Sequence, residues 1–129
     1  MRALLIAALL AATPAFGCGA CVEDKIAACY DHAIVTSAKA RGHAVAFFAI
    51  HGELPRSAAL HAALRRELEA TRGVDPGTAR VSLENAALSF SYGGRRASLA
   101  AIQRSVARRM ASRGLEIELL RVMDGRAGA

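Results

Sequence analysis

The sequence predicts an α+β domain in which four strands form one antiparallel sheet, two helices pack on it, and a further helix precedes the first strand. Three observations carry this reading. Apolar residues recur every three or four positions in three segments, near 22–41, 57–71 and 98–113. Apolar and polar residues alternate strictly in three others, near 81–84, 88–92 and 115–119. One short stretch, Ala44 to Ile50, is apolar throughout, which suits a strand covered on both faces.

Taken in order, the segment 22–41 presents Val22, Ile26, Tyr30, Ala33 and Ser37 along one stripe, with Glu23 and Asp24 near its start, where acids complement the helix dipole. Gly42 ends it. The apolar strand follows His43, and His51-Gly52-Glu53-Leu54-Pro55 is a loop. Between Ser57 and Thr71, Leu60, Leu64 and Leu68 stand four apart, Gly73 caps the helix, and Asp75-Pro76-Gly77 has the chemistry of a turn. Val81 and Leu83, then Leu88, Phe90 and Tyr92, alternate with polar residues around Asn85-Ala86, which reads as the tight turn of a hairpin. Ser98 caps a helix carrying Leu99, Ile102, Val106 and Met110, Gly114 stops it, and Leu115, Ile117 and Leu119 mark the last strand. After the first helix the order is strand, helix, strand, strand, helix, strand. That is the ferredoxin-like βαββαβ sandwich, whose central strands are the first and third, here with an extra N-terminal helix. Since the first strand is apolar on both faces, that extra helix is expected to cover the second face of the sheet, or its edge.

The start of the chain predicts export. Met1-Arg2, an unbroken Ala, Leu and Ile run from Ala3 to Ala12, and small residues before Cys18 have the form of a secretory signal peptide. The run falls short of the roughly 20 apolar residues of a membrane span. The expected division is therefore 1–17 signal peptide, 18–42 cysteine-bearing helical segment, 43–123 ferredoxin-like domain and 124–129 disordered tail, with the mature protein periplasmic or secreted. The only membrane contact expected is through the signal or through lipid attachment at Cys18, for which Ala15 and Phe16 are a poor match. Losing Arg2 leaves 16 basic against 11 acidic residues, a charge of +5. Outside the cytoplasm such a protein meets anionic headgroups, cell-wall polymers or an acidic protein partner, and nucleic acid fits poorly.

Residues 44–122 resemble the heavy-metal-associated domains. The resemblance is clearest in Ala79-Arg80-Val81-Ser82-Leu83-Glu84, in Ala87 to Gly93 and in Ile102 to Gly114, where the family's strand, hairpin, strand and helix rhythm is visible. It implies the ferredoxin-like fold and metal binding. The family's ligand loop, Met-x-Cys-x-x-Cys after the first strand, is missing, and His51-Gly52-Glu53-Leu54 stands in its place. His51 is either a ligand there or an ordinary solvated loop residue.

The cysteines lie elsewhere, in Cys18-Gly19-Ala20-Cys21 and at Cys29, with His32 three residues on. Thiolate and imidazole suit Cu(I) or Zn, so Cys18, Cys21, Cys29 and His32 are the candidate metal ligands. Cys29 and His32 can meet across one helical turn. If the chain from Cys21 to Cys29 is helical, however, about 12 Å of rise separates them, and one four-ligand site requires the arm to fold back. Two alternatives stay open. In an oxidising compartment the pair closes into a structural disulfide and the chain is a non-enzymatic protein-interaction module; or the pair is a thiol–disulfide couple. Gly93-Gly94-Arg95-Arg96 ahead of a helix offers an anion its backbone amides and two arginines, although solvated arginines at a turn are the commoner case. No general acid–base pair or nucleophile context is visible, and no enzyme is expected.

Overall fold

The computed structural model describes residues 18–124, with side chains from Cys21 onward; the expected signal peptide and all of the expected tail beyond Asp124 lie outside them. The elements are α1 (Cys18–Cys29), α2 (His32–Ala40), β1 (Ala44–His51), α3 (Ala58–Glu69), β2 (Arg80–Ser82), β3 (Ala87–Tyr92), α4 (Leu99–Ala111) and β4 (Glu116–Asp124). The sheet is antiparallel with order β2-β3-β1-β4, so β1 and β3 are central as the sequence predicts. Among the described residues no helix is long and apolar enough to cross a membrane.

Two cores sandwich the sheet. On one side Ala46, Phe48 and Ile50 of β1 and Leu88 and Phe90 of β3 pack under Leu64 and Leu68 of α3 and Ile102, Val106 and Met110 of α4. Phe48 and Phe90 stack with their centroids 5.5 Å apart. On the other side Val45, Phe47 and Ala87 pack under Ile26 and Cys29 of α1 and Val35 and Ala38 of α2. The period of two along β1 sends successive side chains to opposite cores, which is why that strand carries no polar residue before His51. β3 instead turns Ser89 and Ser91 toward the α1–α2 layer. Both are buried and both are bonded: Ser89 Oγ donates to the Cys29 carbonyl (3.1 Å) and Ser91 Oγ to Asp75 (2.6 Å). Ser89 thereby satisfies one of the carbonyls left free at the end of α1.

The structure corrects three sequence expectations. The helix over 22–41 is two helices, because Asp31 takes an extended conformation and caps α2, accepting from Ala33 N (3.0 Å) and Ile34 N (3.2 Å). The apolar stripe restarts in a new phase there, leaving Tyr30 43% exposed and Ala33 and Ser37 on the solvent side. The hairpin is not a two-residue turn. β2 stops at Ser82, and Leu83 to Ala86 form the connection, with Ala86 at φ 49°. Lys25 of α1 closes this turn, its Nζ donating to the carbonyls of Asn85 (2.6 Å) and Ala86 (3.2 Å). The last strand begins at Glu116, one residue after buried Leu115, and runs on to Asp124. Its register with β1 slips between Phe47 and Phe48, so Leu120 has no partner across the ladder. Leu120 and Met123 consequently pack against the α1–α2 core, and Leu119 is left exposed.

Candidate functional site

α1 is helical from Cys18, so the N-terminal arm does not fold back. Cys29 lies eight positions along a continuous helix from Cys21, about 12 Å along the axis, and their exposures are opposite: Cys21 is exposed and Cys29 buried. His32 opens α2, beyond the break at Asp31, with its Nδ1 3.2 Å from the Tyr30 hydroxyl and its Nε2 3.5 Å from Thr36 Oγ1. The structure thus does not gather Cys21, Cys29 and His32 around one point, and the single four-ligand site anticipated from spacing is not formed by them. Among the described residues no group of three or more His, Cys, Asp or Glu side chains could hold a metal ion. The side chain of Cys18 lies outside the described residues; its backbone is the first residue of α1, one helical turn before Cys21.

Cys29 belongs to the core. It is 3% exposed among Ile26, Val35 and Phe47, and burial pushes its thiol up to about 11, against smaller opposing pulls from a Ser82 backbone hydrogen bond and the Lys25 charge. A thiol held protonated is a poor ligand and nucleophile. In the folded, reduced protein Cys29 is expected to react with a water-soluble disulfide reagent at pH 8 at least about a hundredfold more slowly than Cys21, and to catch up in denaturant. Equal rates in native buffer would show that α1 does not hold it against the sheet.

The loop that replaces the missing ligand motif offers little. His51 Nε2 lies 2.8 Å from Glu118 Oε2 on β4, and both side chains are more than half exposed. That is one imidazole and one carboxylate in solvent, an ordinary surface pair. Gly52 is needed beside it. Its φ is +124°, and a Cβ would fall 2.8 Å from the Gly114 carbonyl oxygen.

A different cluster was not legible in the sequence. Asp75, read there only as part of a turn, is buried, and its Oδ2 receives Ser91 Oγ (2.6 Å) and faces His43 Nδ1 (2.7 Å) and an Arg41 guanidinium nitrogen (3.8 Å). Burial works against its ionisation, but Ser91, His43 and Arg41 together hold its carboxyl below the usual carboxylate range. Ser91 and His43 meet the same carboxylate oxygen rather than each other, and Ser91 is fully buried, so this is no nucleophile–base pair. His43 and Asp75 stand 32 residues apart. The one signal in the sequence was the run of serines on a strand destined for the sheet centre, which need buried partners.

No protein-family model matches the chain, and no curated protein matches it in sequence. Solved structures do. Oxidized MerP from Ralstonia metallidurans CH34 is similar at 11% identity, over 61% of this chain and 99% of that one, with a TM-score of 0.48. A copper binding domain from HMA7, a P-type ATPase, is similar at 18% identity over 61% and 96%, with a TM-score of 0.49. The yeast copper transporter domain CCC2A is similar at 20% identity over 60% and 96%, with a TM-score of 0.46. The fold is ferredoxin-like. Strand order and register establish that by themselves.

Proposed function

We propose that this chain is an exported, non-catalytic domain that binds a soft metal ion through the thiols of Cys18 and Cys21, on a ferredoxin-like scaffold. The observation that carries the reading is the course of α1. Cys18 and Cys21 stand three residues apart in sequence at the start of α1, a spacing that lets two helical residues reach one ion, and Cys21 is exposed whereas Cys29 is buried. Two thiolates suit Cu(I) better than Zn, since zinc takes four ligands and two of them would have to come from water or a second chain. The signal-like residues 1–17 support a periplasmic or secreted location, and the basic surplus suits an acidic protein partner.

The test is elemental analysis of reduced, full-length mature protein after loading with Cu(I) and gel filtration. About one copper per chain is expected. Cys21→Ser should abolish retention, whereas Cys29→Ser and His32→Ala should leave it unchanged. Copper retained by Cys21→Ser would remove the proposal. So would protein that arrives from the periplasm with Cys18 and Cys21 joined, one free thiol, and no copper uptake after reduction; the cysteines would then only brace the N-terminus.

A further inference from the structure

Arg41 at the end of α2, His43 ahead of β1, Asp75 in the α3–β2 connection and the turn Gly93 to Arg96 after β3 line one polar cleft of about 730 Å³. Three segments distant in sequence converge there. Arg41 and His43 are tied to the cleft wall through Asp75, which is itself anchored by Ser91 and by its own N–H to the Ser91 carbonyl (2.8 Å). Gly93 is fitted against the imidazole, since a Cβ there would fall 2.7 Å from His43 Nε2. Arg95 and Arg96, both exposed, line the same cleft.

The charge balance sets the ligand. Three arginines against one carboxylate leave a surplus of two positive charges, before any proton shared between His43 and Asp75 is counted. A phosphate monoester carries about −1.5 to −2 near neutral pH, and guanidinium forks match its oxygens in pairs. The cleft is also larger than a bare tetrahedral ion requires and falls in the size range of small-molecule sites. The geometry points to a binding site for a phosphate monoester, either a small soluble one or the headgroup of a lipid such as phosphatidic acid, held by Arg41, Arg95 and Arg96. This site is separate from the thiol pair and stands or falls without it.

The experiment is a titration of the full mature chain, isotope-labelled for amide NMR, with glycerol 3-phosphate at about 0.15 M salt. A parallel arm measures co-sedimentation with vesicles containing phosphatidic acid. Saturable shifts confined to residues 41–43, 75 and 93–96 are expected, or sedimentation that glycerol 3-phosphate competes away. The double change Arg95→Gln with Arg96→Gln should weaken binding by about tenfold or more. Arg104→Gln, an exposed arginine elsewhere on α4, should leave it unchanged. Vesicle binding without binding of the soluble ester would assign the lipid as the source. Shifts spread over every arginine, no saturation in either arm, or equal losses from the double change and Arg104→Gln would overturn the site.

Discussion

Replacing Phe47 by alanine is expected to destabilise the folded chain by about 3–5 kcal/mol, as much as the same change at Phe48. The two rings sit on opposite faces of β1 and are both almost wholly buried, Phe48 under α3 and α4, Phe47 under α1 and α2. Were the N-terminal helices an appendage, Phe47 would face water and its loss would cost no more than a surface change, within about 0.5 kcal/mol. Urea midpoints for the two variants decide between these outcomes, with the slope checked for a change in exposed surface. Near equality means that α1 and α2 are a structural layer of the domain. By the same reasoning a chain beginning at Gly42 should fold poorly, because Val45, Phe47, Ala87 and Met123 would form an uncovered apolar face across the middle of the sheet.

That layer was legible in the sequence for a simple reason. A strand without polar alternation needs cover on both sides, and only one unassigned helix existed to provide it. The strand order and the inner faces of α3 and α4 followed from periodicities that a single residue rarely disturbs, and the cap at Ser98 from its residue type. What escaped were features that depend on one side chain or on distant partners. Asp31 divides a helical pattern because its carboxylate outcompetes the backbone for two amides, and nothing in the spacing of apolar residues announces this. The slip at Leu120 answers to the packing of β4 against β1, not to its own alternation.

The proposed thiol pair was half legible. The residue types and the helical rise were on the page, including the condition under which Cys29 could not join Cys21. Whether the arm folds back depends on where α1 begins, and element boundaries are the least certain part of such a reading. The cleft around Asp75 was hidden more deeply. Asp75-Pro76-Gly77 carries a turn signal strong enough to account for every residue in it, so no local feature asks for a second role. Arg95 and Arg96 were visible as a basic turn, but Arg41 and His43 come from the far end of α2 and the residues just after it, and are brought to that turn only by β1 pairing with β3.

The second large effect is expected at Asp75. Its carboxylate accepts from Ser91 and pairs with His43 in a buried setting, and hydrogen bonds to a charged group contribute about 1.5–3 kcal/mol each. Asp75→Asn keeps the shape and one acceptor while removing the charge, so a loss of about 2–3 kcal/mol is expected at pH 6. The pH dependence identifies the cause. The folded-state value of Asp75 is lowered, whereas in the unfolded chain an aspartate titrates near about 3.9. The stabilisation is therefore fully present above the unfolded value and disappears as pH falls through the lower, folded one. The gap in urea midpoint between the native chain and Asp75→Asn should accordingly hold level above about pH 5 and narrow as pH falls below the unfolded value. A gap that does not narrow as pH falls would assign the loss to packing, and no gap at pH 6 would mean that the charge of Asp75 contributes nothing to stability. In Asp75→Asn, Arg41 has no fixed acid to hold it at the cleft wall, and phosphate affinity should fall although a negative charge has been removed. Simple charge counting expects the reverse, so the sign of that change separates a site whose cations are positioned from a surface that is merely basic.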